Sequence, residues 1–202
     1  MIAVIDYGVG NLFSLVSSLK AVGAEAIVTS DADIIKKADK ILLPGVGAFE
    51  DAIAKLRATG LDKLICEEVF CGKKILGICL GMQMLFERSY EYGTHEGLSL
   101  LKGEIVGMEG RIPEKLKIPH IGWNALHIKA EHPIFKYVNE NDSVYFVHSY
   151  YASGCEESLL ATSEYGEELT AAVALGNVAG TQFHPEKSGK VGLNILKAFS
   201  EW

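Results

Sequence analysis

A cysteine set between two glycines, Gly77-x-Cys79-x-Gly81, closes the apolar run Lys74-Ile75-Leu76-Gly77-Ile78 and opens Leu80-Gly81-Met82-Gln83. The run reads as a buried strand, and Met82–Arg88 reads as the start of a helix. The spacing is the cysteine form of the nucleophile elbow, a sharp strand-to-helix turn that presents its central side chain. Backbone passes close on both sides of that side chain, so both flanking positions favour a residue without Cβ. The turn also sets the Cys79 sulfur at the amino end of a helix, where the dipole and free N–H groups favour thiolate. An inert core cysteine between two packing glycines fits the same pattern.

A second stretch, Gln182-Phe183-His184-Pro185-Glu186, lies about a hundred residues downstream. Side chains two apart in extended backbone face the same way, so His184 and Glu186 can touch. Pro185 helps by pushing His184 toward extended conformations. A carboxylate beside an imidazole fixes its tautomer and stabilises the imidazolium. With Cys79 in reach this makes a Cys-His-Glu triad for acyl transfer; taken alone, it is a strand end with an incidental histidine. Attack on a carbonyl also needs donors for the oxyanion. The Leu80 N–H, opening the helix, is one candidate. The Val46 N–H of Pro44-Gly45-Val46-Gly47 is the other, since two glycines let that backbone approach a substrate. Without the cysteine nearby, the same four residues are a plain tight turn.

The elements that must position these groups alternate along the chain. Ile2–Ile5, Ala26–Thr29, Ile41–Leu43 and Lys74–Ile78 read as strands. Helical spacing covers Leu12, Leu15, Val16 and Leu19, stopped by Gly23, then Asp31–Lys37, Phe49–Leu56 and Leu61–Ile65. The alternation implies parallel strands with helices on both faces, with sites at the strands' carboxyl ends. Beyond Glu91 the reading is of short mixed strands over Ser99–Met108, a loop over Gly110–Pro119, and strands over Ile121–Ile128 and Ser143–Tyr150. Thr170–Leu175 and Val178–Phe183 form a hairpin about Gly176-Asn177, and Val191, Ile195, Leu196 and Phe199 mark a closing helix. The expected fold is α/β, a single domain over residues 1–202 with a mixed, mostly parallel sheet and helices on both faces.

Composition narrows the function classes. Of 202 residues 49% are hydrophobic and 22% charged, ordinary for a soluble globular chain. The net charge of −7 and the lack of a basic run argue against nucleic-acid and anionic-membrane surfaces. Met1–Asp6 runs straight into a strand pattern, so no secretory leader is expected. No apolar run is long enough to span a bilayer. Cys66, Cys71, Cys79 and Cys155 form no C-x-x-C pair, so neither a metal site nor a disulfide scaffold is expected, and the compartment is read as cytoplasmic. Gly8-x-Gly10 after the first strand tempts a dinucleotide reading, but Phe13 stands where the third glycine should be. No cofactor is expected.

Gly77-Ile78-Cys79-Leu80-Gly81-Met82-Gln83 and His184-Pro185-Glu186 resemble the two signature motifs of the class I (triad) glutamine amidotransferases, and the likeness runs the whole length of the chain. Ile5–Asn11, Leu43–Phe49, Pro119–Asn124, Phe146–Tyr150 and Gln182–Gly189 are similar to one branch of that family. Its members are glutaminase subunits that work in histidine biosynthesis with a (β/α)8-barrel cyclase making imidazole glycerol phosphate and aminoimidazole carboxamide ribotide. The resemblance implies hydrolysis of L-glutamine to glutamate and ammonia through a thioester on Cys79, with His184 as base and acid and Glu186 as its orienter. It also implies that Gly47, Gln83, Glu91, Ser149 and Tyr150 hold the amino-acid end of glutamine. On chemical grounds Glu91 suits the ammonium, and Gln83 with backbone N–H groups suits the carboxylate. Asn11, Trp123 and Lys187 are expected at the surface of a heterodimer with the cyclase, Lys187 pointing out of the site toward an acidic residue of the barrel. Three alternatives stand beside this. One is the glutaminase of another amidotransferase, such as pyridoxal phosphate synthase, whose oxyanion loop reads differently from Pro44-Gly45-Val46-Gly47. Another is a non-catalytic regulatory binding module, and the third is a cysteine protease or amidase of related fold.

Overall fold

The computed structural model describes residues 1–202. Strands β1 (Ile2–Ile5), β2 (Ala26–Thr29), β3 (Lys40–Leu43) and β4 (Lys74–Ile78) alternate with helices α1 (Leu12–Ala21), α2 (Ala32–Lys37), α3 (Phe49–Ala58) and α4 (Leu61–Phe70). The main sheet has eight strands. From one edge β2, β1, β3, β4 and Val178–Thr181 are mutually parallel; Glu168–Leu175, Leu159–Glu164 and His127–Ile128 continue it antiparallel. Alternate residues of the parallel strands feed two cores. Ala3, Ile5, Ile41, Leu43 and Ile75 pack with α2, α3 and α4 on one face. Ile2, Val4, Leu42, Leu76 and Ile78 pack with α1 and the closing helix on the other. That closing helix is α6 (Gly189–Glu201), and Asn177 in the hairpin turn donates to the carbonyls of Val69 and Lys73. No helix is long and apolar enough to cross a membrane.

Three readings of the sequence need correction. The helix after Cys79 is a single turn, α5 (Leu80–Gln83), rather than a longer helix over Met82–Arg88. The carbonyls of Met84, Leu85 and Phe86 are instead taken by N–H groups of Leu98, Leu100 and Ser99, at 2.8, 2.8 and 3.1 Å. A crossing segment outcompetes the next helical turn. Ile121–Ile128 divides into strands His120–Ala125 and His127–Ile128, because Leu126 turns inward and is fully buried. Ser143–Tyr150 likewise divides at Ser149: Ser143–His148 pairs with His120–Ala125, whereas Tyr150–Ser153 joins a separate small sheet. The strand Leu159–Glu164 has no counterpart in the sequence reading.

Candidate active site

Four segments leave the carboxyl ends of parallel strands and meet: Tyr7–Asn11 after β1, Pro44–Gly47 after β3, Cys79–Gln83 after β4, and Gln182–Glu186 after Val178–Thr181. That is where open α/β sheets bind ligands.

Cys79 has φ 53° and ψ −113°, a conformation that costs a non-glycine residue about 1–3 kcal/mol. The surroundings impose it. The Cys79 N–H donates to the Thr181 carbonyl at 2.7 Å. A Cβ at Gly77 would sit 2.7 Å from the Gly81 oxygen, one at Gly81 would sit 1.9 Å from the Leu43 oxygen, and one at Gly45 2.6 Å from the Gly81 nitrogen. Glycine is needed at all three for space, and the Pro44–Gly47 loop is thereby packed directly on the elbow.

His184 and Glu186 face each other as their spacing predicts, Nδ1 to Oε1 at 2.8 Å. Cys79 and His184 line the same cavity. Burial alone would push the imidazole down; its interactions with Cys79 and Glu186 outweigh that and hold it up at about 9. The backbone around the histidine is tied down, since the Ser188 hydroxyl donates to the His184 carbonyl at 2.7 Å and accepts the Tyr145 N–H at 2.9 Å. The structure brings Cys79, His184 and Glu186 into one cluster, which an inert core cysteine would not need.

Beside the sulfur lies a cavity of about 310 Å³, at the small end of ligand sites. Val46, Gly47, Leu80, Gln83, Glu91, Ser149 and Tyr150 all line it together with Cys79 and His184. Leu80 opens α5, so its N–H has no carbonyl within the helix. Glu91 is anchored by the Phe49 N–H, which donates to its Oε2 at 2.7 Å. Burial raises its carboxyl, against the pull of that N–H and of the nearby His95. Gln83 differs from expectation. Its amide nitrogen donates to the Tyr150 carbonyl at 3.1 Å and to Gln182 Oε1 at 3.0 Å, which uses both N–H groups. It offers the cavity an acceptor, suited to an ammonium and not to a carboxylate.

Lys187 is exposed and also lines the cavity, at its mouth. Trp123 is 55% exposed and edge-on to Tyr145. Asn11 is exposed too, but its side chain accepts the Ser14 N–H at 3.5 Å and so caps α1. All three border the converging segments: Trp123 lies against Gly189, and Gly10 against Pro44.

Three residues went unassigned in the sequence. The buried Tyr7 donates its hydroxyl to the Pro44 carbonyl at 2.7 Å, and burial followed by the Cys79 charge pushes its ionisation upward, keeping it a donor. His148 donates from Nδ1 to the Tyr150 carbonyl at 2.9 Å, and burial pushes it down to about 3, so it stays neutral. The third is Gln182. Only His148 left a trace: in Ser143–His148 it shares the inward parity of Val144 and Phe146.

A model of the family described as glutamine amidotransferase class-I matches residues 3–201. A relative from Oceanobacillus iheyensis, named imidazole glycerol phosphate synthase subunit HisH, is 52% identical over 202 residues, covering 100% of this chain and 98% of its own. The protein of the same name from Caldanaerobacter subterraneus subsp. tengcongensis is also 52% identical, over 100% of this chain and 98% of its own. The one from Bacillus subtilis is 50% identical, over 100% and 96%. Among solved structures, a glutamine amidotransferase superposes with TM-score 0.75 at 18% identity, covering 98% of this chain and 100% of that one. PurLQS from Thermotoga maritima gives 0.72 at 21%, covering 98% and 94%. At such identities these two structures speak for the fold alone.

Proposed function

The chain belongs to the class-I glutamine amidotransferases, and from that membership we propose that it is the glutaminase subunit of an imidazole glycerol phosphate synthase. It hydrolyses L-glutamine to glutamate and ammonia for histidine biosynthesis. The observation that carries the specific assignment is identity of about half over the full length of relatives bearing that one name.

In the reaction we assign, the Cys79 sulfur attacks the side-chain carbonyl carbon of glutamine. The carbonyl electron pair moves onto oxygen, where the Leu80 and Val46 N–H groups receive the charge. His184 gives its proton to the departing nitrogen, and ammonia leaves a thioester on Cys79. A water then gives a proton to His184 and attacks the thioester; the C–S bond breaks toward sulfur and glutamate is released. Glu186 keeps His184 oriented through their 2.8 Å hydrogen bond. The substrate's ammonium pairs with the Glu91 carboxylate and the Gln83 oxygen, and its carboxylate faces backbone N–H groups near Gly47, Ser149 and Tyr150.

The partner is a (β/α)8-barrel cyclase that consumes the ammonia, docked over Asn11, Trp123 and Lys187 in a heterodimer. The exposure of all three, with Lys187 also lining the cavity, supports this surface. A glutaminase feeding a partner gains from being slow alone. Val46 is 41% exposed and Gly47 has φ +94°, with open space around it. One peptide plane there can turn an N–H into the oxyanion position or away from it. A single oxyanion donor is worth ~10²–10³ in rate. The ligand-bound cyclase therefore raises glutamine turnover by roughly that factor by favouring the competent loop. Glutamate release is to be measured for the subunit alone, with the cyclase, and with cyclase plus nucleotide ligand. An isolated subunit as fast as the full assembly excludes the switch. A full assembly that releases no glutamate excludes the function.

A further inference from the structure

Gln182 is fully buried between the elbow and the cavity wall. Its amide has one possible orientation. Gln83 turns a donor toward it, because the Gln83 nitrogen also serves the Tyr150 carbonyl at 3.1 Å; Gln182 must answer with its oxygen, at 3.0 Å. The Gln182 NH₂ is then left facing Cys79, with Nε2 3.8 Å from Sγ, and the sulfur is its only hydrogen-bond acceptor. A buried amide donor without an acceptor is unfavourable, so sulfur and amide specify each other.

We propose that Gln182 is a positioning residue of the glutaminase reaction, whose amide N–H aims the Cys79 sulfur and holds it as a thiolate. The proposal rests on the reading of Cys79 as the nucleophile. A thiol sulfur is a weak acceptor, whereas a thiolate makes a charge-assisted bond, so the donor favours the ionised form. When sulfur attacks, its lone pair becomes the S–C bond, charge moves to the carbonyl oxygen and the N–H···S bond weakens. When the thioester is hydrolysed the pair returns to sulfur and the bond is restored, which assists departure of the thiolate. The same amide pair links the nucleophile to Gln83, which lines the cavity. Binding of an ammonium at the Gln83 oxygen polarises its N–H groups toward Gln182 and, through it, toward the sulfur.

The test uses two variants of the full chain. Gln182→Met keeps the length and deletes the amide; Gln182→Glu keeps the shape and the acceptor for Gln83 but deletes the N–H donor. Alkylation of Cys79 by iodoacetamide, followed across pH by mass spectrometry of its peptide, reads the thiolate without turnover. Both variants should move the alkylation midpoint up by about one unit, slowing alkylation at neutral pH about tenfold. In the assembled enzyme kcat should fall about tenfold with KM within about twofold of wild type. A variant that melts cooperatively and shows the wild-type midpoint overturns the proposal, as does a rise in KM with kcat unchanged. If Gln182→Met does not fold, Gln182→Glu decides on the same readouts. Should Cys79→Ala prove active, the nucleophile assignment fails, while the alkylation midpoint still reports whether Gln182 acts on the sulfur.

Discussion

The elbow and the Pro44–Gly47 loop, the proposed oxyanion loop, meet in one cavity, yet they are held in opposite ways. At the elbow each glycine is a matter of space: a Cβ at Gly81 would overlap the Leu43 oxygen at 1.9 Å, and one at Gly77 would press on Met82. Cys79 is forced into its strained turn by parallel strands on both sides, and His184 is fixed by Glu186, Ser188 and Tyr145. In the loop, Gly47 is a matter of conformation, with φ +94° and nothing near its would-be Cβ. Only the loop's first half is anchored, by the Tyr7 hydroxyl on Pro44 and by Gly45 against the elbow. In the reaction proposed above, the nucleophile and base are built rigid, and one oxyanion donor is left free to turn. A device that must be both potent and controllable separates those demands in this way, since a strained nucleophile needs over-determined packing and a switch needs the lack of it.

The largest effects should come from the rigid half. His184→Ala is expected to lower kcat by roughly 10⁶-fold and Glu186→Gln by roughly 10⁴-fold, read as glutamate release in the assembled enzyme. A milder loss in the first than in the second would reverse the roles assigned to them. Gly81→Ala should cost about 3 kcal/mol or more in urea unfolding, because backbone and not a flexible side chain must give way. Stability near that of the wild type would show the elbow to be looser than its contacts imply.

A pH series sharpens the same contrast. The folded-state value of His184, about 9, lies above the ~6.5 of an unfolded histidine, so its contribution is fully present below pH ~6.5. That contribution, on the order of 3 kcal/mol, fades as pH rises toward 9. Unfolding free energies from pH 6 to about 10 should therefore fall in the wild type, and His184→Gln should flatten the decline. An equal slope in both would place the titration elsewhere.

The loop should respond more mildly. Gly47→Ala is expected to cost about 1–2 kcal/mol in stability, from strain at positive φ and not from collision. Its activation by the partner should shrink, because the peptide plane loses freedom; thermal melts and partner-dependent turnover report the two effects separately. The smallest change is expected for Tyr7→Phe, about 1 kcal/mol in unfolding, since it removes one buried hydroxyl bond to Pro44. A larger loss there would mean that the loop is held more firmly than its second half suggests.

Much of this was written in local sequence. Strands β1 to β4 announce themselves as apolar runs, α1 to α4 by helical spacing, and the triad by Gly77-x-Cys79-x-Gly81 and His184-x-Glu186. These signals are local because periodicity and turn chemistry act between near neighbours. Where long-range partners compete, the sequence fell silent or misled. The single turn Leu80–Gln83 ends because N–H groups of Leu98 to Leu100 take its next carbonyls, and no spacing near Gln83 records that. The antiparallel strand Leu159–Glu164 is defined by its neighbours in the sheet.

The residue types of the triad and the glycines of the elbow were thus determined by sequence alone. The tertiary structure decided the rest: that Gln83 faces the cavity as an acceptor, that Tyr7 pins the oxyanion loop, and that Gln182 turns its amide to the sulfur. An amide carries donor and acceptor on one group, and a hydroxyl can point either way. Which end does the work is settled by whatever the fold sets against it, here carbonyls and amides from segments dozens of residues away.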